Sequence, residues 1–164
     1  MKIYLGSDHA GFEYKKIIKE YLPSLGLDYE VVDKGAFVLN EDDDYPDFVT
    51  LVALDVAGDK DSMGIVFGGS GQGEAMCANT VSGVRATVFY GPKELIKSID
   101  VDGAESNDLF EIIKLAREHN DANILSIGAR FVSIDEAKFA IELFLKTKFS
   151  GEERHIRRLT KFNT

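Results

Sequence analysis

Gly64-Ile65-Val66-Phe67-Gly68-Gly69-Ser70-Gly71-Gln72-Gly73-Glu74 passes from an apolar run through a glycine-rich turn into the start of a helix. Gly64 to Phe67 is too short for a buried helix and reads as a strand covered on both faces. Glu74 to Val81 reads as the helix that follows. The same strand-then-helix unit recurs in both directions. Before it come a strand at Ile3–Gly6, a helix at Phe12–Leu22 ended by Gly26, a strand at Tyr29–Val32 and a helix at Val49–Val56 closed by Gly58. After it come a strand at Val84–Phe89, a helix at Leu109–Glu118 and a strand at Ile124–Ile127. Ser133 and Glu136 then form a capping-box pair, whose helix runs to about Lys146. A short basic helix, at Arg154–Lys161 within about 153–162, ends the series.

This alternation predicts an α/β fold: a Rossmann-like, doubly wound, five-stranded parallel sheet with helices on both faces, an α/β/α sandwich. A strand order of 2-1-3-4-5 puts the switch point between the first and third strands, where ligands bind beyond the strand ends. Two loops meet there, Ser7-Asp8-His9-Ala10-Gly11 and Gly68 to Glu74. The glycine loop either makes a tight turn or presents backbone N–H groups to an anion or a developing oxyanion. It lacks the glycine at position 74 that a dinucleotide fingerprint starting at Gly69 requires, and it lacks a Gly-Lys-Ser/Thr end. Glu74, in the first turn beside this loop, is either an ordinary helix-start acid or a general base.

The remaining chemistry-bearing residues are few. His9, His119 and His155 are the only histidines. Arg154 and Arg158 are four apart and share a helix face, which suits a phosphate or a solvated surface equally. Cys77 reads as a small buried residue without catalytic role. Glu41-Asp42-Asp43-Asp44 reads as a solvated loop, because four consecutive acids converge poorly on one metal ion.

The 164 residues, 45% apolar and 29% charged, fit one domain spanning 1–164. Nineteen Lys and Arg against 28 Asp and Glu give −9, which argues against a nucleic-acid partner. No apolar run approaches the roughly 18 residues of a membrane span, so no membrane partner is expected. The N-terminal apolar stretch is interrupted early by Asp8 and His9, unlike a secretion signal. With one cysteine and therefore no intramolecular disulfide, a cytoplasmic location is expected.

The chain resembles the ribose-5-phosphate isomerase B family, whose relatives include the galactose-6-phosphate isomerase subunits. The resemblance is carried by Gly6-Ser7-Asp8-His9-Ala10-Gly11, Asp44-Tyr45-Pro46-Asp47, Gly68 to Glu74, Ala78-Asn79 and Gly83-Val84-Arg85-Ala86. It continues through Arg117-Glu118-His119-Asn120-Asp121-Ala122-Asn123, Gly128-Ala129-Arg130 and Arg154-His155-Ile156-Arg157-Arg158. Many members end the third strand in a catalytic cysteine. Here Gly68 stands at that position, and the loop is similar to the second version, in which the Glu is the base. The resemblance implies an aldose–ketose isomerase acting on ribose 5-phosphate or another sugar phosphate such as galactose 6-phosphate or allose 6-phosphate. The rival from another class is a non-catalytic phosphate- or nucleotide-binding module.

The same resemblance implies roles. Glu74 moves the proton, and Ser70 with the backbone of Gly69, Gly71, Gln72 and Gly73 stabilises the enediolate. His119 helps open the sugar ring, with Asp8 close by on the sugar hydroxyls. Asn120 binds sugar oxygens, while His9, Arg130, Arg154 and Arg158 hold the phosphate or substrate. No metal or other cofactor is implied. The C-terminal arginines reach a neighbouring subunit's site, so a homodimer or a tetramer is expected. One departure is a stretch at about 91–108, roughly a dozen residues or more beyond the usual connection and read as a tolerated surface insertion.

Overall fold

The computed structural model of the chain describes residues 1–99 and 103–162. Residues 100–102, inside the expected insertion, lie outside the described residues. The elements are β1 (Lys2–Ser7), α1 (Phe12–Tyr21), a 3₁₀ turn (Leu22–Leu25), β2 (Glu30–Asp33), α2 (Tyr45–Gly58), β3 (Ser62–Gly68) and α3 (Gln72–Ala78). They continue with β4 (Ala86–Phe89), α4 (Glu111–Asn120), β5 (Ile124–Gly128), α5 (Ile134–Lys146) and α6 (Glu153–Leu159).

All five strands are parallel, as their apolar runs predict. Their side chains alternate between two cores. Ile3 and Leu5, Ile65 and Phe67, and Leu125 and Ile127 point to one face, where they meet Ile18 of α1, Ile113 of α4 and Ile141 and Phe144 of α5. Tyr4, Val66 and Ile124 point to the other, against Val49, Val52, Ala53 and Val56 of α2 and Ala78 of α3. Those α2 positions have the i, i+3, i+4, i+7 spacing of one helix face.

The strand order is β2-β1-β3-β5-β4, not 2-1-3-4-5. Burial explains the exchange. All five residues of β5 are buried, as a central strand demands. In β4 only Phe89 is buried, which suits an edge. The switch point between β1 and β3 is unaffected, because β2 still lies on one side of β1 and β3 on the other. Several element boundaries also differ from the sequence reading: α3 starts two residues early and ends at Ala78, β4 and α4 each start two residues late, and α6 ends at Leu159. Helix α2 starts four residues early, behind Asp44, with Pro46 in its first turn where no backbone N–H is needed. The turn at Leu22–Leu25 has Pro23 at its start and closes on Gly26 in the left-handed conformation. The capping box of α5 is complete: Glu136 N–H donates to Ser133 Oγ, and Ser133 N–H donates to Glu136 Oε2.

Candidate active site

At the C-terminal ends of β1, β3 and β5 an open cleft of about 470 Å³ is lined by Asp8, His9, Ala10, Tyr45, Gly69, Ser70, Gly73, Glu74, Arg130 and Phe131. A slightly larger groove of about 500 Å³ and a smaller one of about 350 Å³ exist elsewhere, but neither is lined by Glu74 or the glycine loop, so the chemistry points to this cleft.

Glu74 is 4% exposed. Burial raises its pKa above the ordinary carboxylate value and the nearby Asp8 charge adds to this, opposed by the N–H groups of Glu74 itself and Gly71. Its carboxylate folds back over the end of β3. A Cβ on Gly68 would fall on that carboxylate, so no side chain fits at position 68 while Glu74 lies there. The turn itself depends on Gly71, which caps α3 with φ +76°. Gly71 is held in place by its carbonyl, which accepts from Ser126 Oγ of β5 at 2.8 Å.

Ser70 Oγ accepts the Gln72 N–H at 3.3 Å, which leaves the hydroxyl hydrogen for the cleft. Gly71 and Gln72 shape the turn but do not line the cleft, and the Gln72 side chain is exposed. Asp8 is 6% exposed and fixes its own loop, with Oδ1 accepting from Ala10 N–H at 3.0 Å and Gly11 N–H at 3.2 Å. Arg130 reaches the cleft because β5 neighbours β3: its N–H donates to Gly69 O at 3.1 Å, and its guanidinium packs over Gly69.

The remaining expected residues lie elsewhere. Helix α4 leaves the C-terminal end of β4 and must return to the N-terminal end of β5, so its last turn sits at the opposite edge of the sheet. Ten helical residues span about 15 Å. His119 and Asn120 are in that turn, and the expected meeting of His119 with Asp8 does not occur within one chain. His119 instead stacks on His155, with ring centroids 4.2 Å apart. His155 is buried and held by Ser150 Oγ at 2.8 Å. Its pKa is lowered by burial first and by His119 second. Asn120 lines a separate groove with Arg85, Thr87 and Phe162. Arg154 and Arg158 are on α6, which packs against α4 and not the cleft. Arg154 Nε lies 2.8 Å from Glu152 Oε2 without the alignment of a hydrogen bond, and Arg158 is exposed.

Sequence reasoning missed Tyr45 and Phe131 in the cleft and Asp43 behind it. The Tyr45 ring packs against Gly73, where a Cβ would come within 2.8 Å of it. Asp43 is not part of a solvated loop: its side chain is 8% exposed and contacts His9. Cys77 sits beside Thr50 Oγ1 at 3.5 Å, outside the cleft lining. Among the described residues, no three His, Cys, Asp or Glu side chains cluster as a metal site, and no helix is long and apolar enough to cross a membrane.

The family model "Ribose/Galactose Isomerase" matches residues 3–104 and 97–162. Ribose-5-phosphate isomerase B of Mycolicibacterium paratuberculosis is 40% identical over 159 residues, covering 97% of this chain and 87% of that protein. The Escherichia coli protein of the same name is 35% identical over 158 residues, covering 96% and 91%. The crystal structure of ribose-5-phosphate isomerase B from Mycoplasma genitalium with bound ribulose 5-phosphate matches with a TM-score of 0.82 and 37% identity, over 98% of this chain and 92% of that one. A doubly wound sheet with a buried carboxylate at its switch point, and matches that run almost end to end, lead to one conclusion: the chain belongs to the ribose/galactose isomerase family.

Proposed function

We propose that this chain interconverts ribose 5-phosphate and ribulose 5-phosphate, with Glu74 as the base that moves the proton. The observation that carries this reading is the Glu74 carboxylate, buried in a polar cleft and lying where the side chain of residue 68 would otherwise be. The base of the cysteine-bearing relatives starts from that backbone position. A carboxylate that fills the same space serves the same carbon of the substrate.

In the open-chain aldose, Glu74 takes the proton from carbon 2. The electron pair forms the carbon 1–carbon 2 double bond, and the carbonyl oxygen becomes the enediolate oxyanion. Ser70 O–H and the backbone N–H groups of the cleft-lining Gly69, Ser70 and Gly73 are the donors for that charge. Glu74 returns the proton to carbon 1, and the hydroxyl hydrogen on oxygen 2 passes to oxygen 1, which leaves the ketose. The raised pKa of Glu74 suits both halves, since a stronger base takes the proton and a weaker acid still returns it. Asp8 faces the sugar hydroxyls, and His9 and Arg130 meet the phosphate.

Ring opening needs an acid, and His119 fills that role only from a second copy, as do Asn120, Arg154 and Arg158 as binding groups. A homodimer or higher oligomer with sites shared between chains is therefore part of this reading. The exposed apolar run Phe37-Val38-Leu39 (72%, 75% and 52% exposed) supports an uncovered interface. An insertion at about 91–108 is part of this reading, and the two family-model matches, 3–104 and 97–162, overlap inside that stretch. The test is a coupled assay of the purified protein on pentose and hexose phosphates. Ribose 5-phosphate should give the highest kcat/KM. A higher value for a six-carbon phosphate would move the substrate assignment, and no turnover on any would leave a binding module.

A further inference from the structure

The reaction scheme above uses none of the acidic run at 41–44, yet one of its four residues turns inward. Asn40 starts a turn in which Asp42 N–H donates to Asn40 Oδ1 at 3.2 Å and Asp43 N–H to Asn40 O at 3.1 Å. This turn delivers the Asp43 side chain under the β1–α1 loop. There a single oxygen, Oδ1, receives two bonds from one residue 34 positions away: His9 backbone N–H at 2.8 Å and His9 Nδ1 at 2.8 Å. The other oxygen, Oδ2, is buried and has no partner among the described residues.

A carboxylate only accepts, so Nδ1 must carry the hydrogen. That settles the tautomer and makes Nε2 the nitrogen open to a molecule in the cleft that His9 lines. With Oδ2 unpaired and buried, His9 is the one side chain among the described residues that can offer Asp43 a counter-charge, and on taking up a proton its Nε2 becomes a donor as well. We propose that Asp43 is a positioning residue of the site: it locks His9 by two bonds and turns its Nε2 toward the substrate's phosphate as a donor. The direction of titration agrees. The His9 pKa is raised, first by the Asp43 hydrogen bond, with further help from the Asp8 charge and against some burial. The other groups lining the same cleft are Glu74 from α3, Tyr45 from α2 and Arg130 from the loop after β5. Among the described residues lining this cleft, Arg130 and protonated His9 are then the two cations offered to an anionic oxygen. The proposal rests on the reading of this cleft as the sugar-phosphate site.

The experiment compares wild type, Asp43→Asn and His9→Ala with ribose 5-phosphate as substrate, at pH values from about 5.5 to 8.5. The ratio of variant to wild-type KM at each pH cancels titration of the substrate phosphate. Asn keeps the size and can still accept one bond, but it does not hold an imidazolium. Asp43→Asn should raise KM about tenfold above pH 7, the scale of one charge-assisted hydrogen bond. Its kcat should stay within about twofold. The KM ratio should fall toward one at the acid end, where His9 is protonated without help. A merely structural role would not produce that recovery. Histidine NMR titration gives the second measurement: His9 should titrate above its ordinary value in the wild type and closer to it in Asp43→Asn. A wild-type His9 that titrates at or below its ordinary value overturns the proposal even if the variant does not fold. A pH-independent KM penalty overturns it as well. If His9→Ala raises KM and Asp43→Asn does not, Asp43 loses its role while the site stands. If His9→Ala leaves KM unchanged, the placement of phosphate in this cleft fails instead.

Discussion

Position 68 and Glu74 exclude each other's side chains, because a Cβ on Gly68 would fall on the Glu74 carboxylate. Gly68→Ala should push the Glu74 carboxylate out of place. Steady-state assays should show kcat reduced by about 10² or more, the scale of a general base, in a protein that remains folded by circular dichroism. Glu74→Gln should lose about 10² to 10⁴ in kcat, while Cys77→Ser stays near wild type. The buried carboxyl also predicts a change in stability with a definite sign. Its folded pKa lies above the unfolded value, so the folded state holds the proton more tightly. Stability is therefore lost as pH rises from the unfolded value through the raised folded value, and Glu74 is a net cost at neutral pH. Glu74→Gln should raise Tm at pH 7 and leave it nearly unchanged below about pH 4, near the ordinary carboxylate range, in a calorimetric scan. Asp8, His9, Ser70 and Glu74 were legible because each lies within a few residues of an apolar strand end, whereas Arg130 came only from the family resemblance. Asp43 was not legible, because its partner is 34 residues away and a run of acids carries no sign of which one turns inward.

Among the elements, the strands announced themselves by their apolar runs, but their lateral order did not. Strand order depends on which strand is covered on both sides, and Ile124 to Gly128 against Ala86 to Phe89 differ in burial more than in composition. The exchange has a consequence for the site: Arg130 meets Gly69 because β5, and not β4, lies beside β3. It also puts β4 on the edge. The α5 boundary was legible to the residue, since the capping box is local chemistry. Ser133→Ala should cost about 1 kcal/mol in denaturant unfolding with kcat little changed, because the Ser133 side chain is spent on the cap and does not line the cleft. Equal unfolding midpoints for variant and wild type would show the cap to be idle.

In the whole molecule the expected catalytic set falls into two groups. Asp8, His9, Ser70, Glu74 and Arg130 gather at one edge of the sheet, while His119, Asn120, Arg154 and Arg158 are carried by α4 and α6. The sequence pattern showed that both groups exist, but not that a parallel crossover must separate them. That separation is why the account needs two chains per site. Glu74→Gln still lends its α4 and α6 residues, and a chain carrying Arg154→Ala with Arg158→Ala still lends its Glu74. Neither alone should turn over well. After reversible dissociation and mixing, each heterodimer should hold one site with both lesions and one with none, as two-fold symmetry requires. The activity of the mixture on ribose 5-phosphate is the most direct measurement: the account predicts recovery up to about half of wild type per heterodimer. Subunit exchange confirmed by mass spectrometry with no recovery would contradict it.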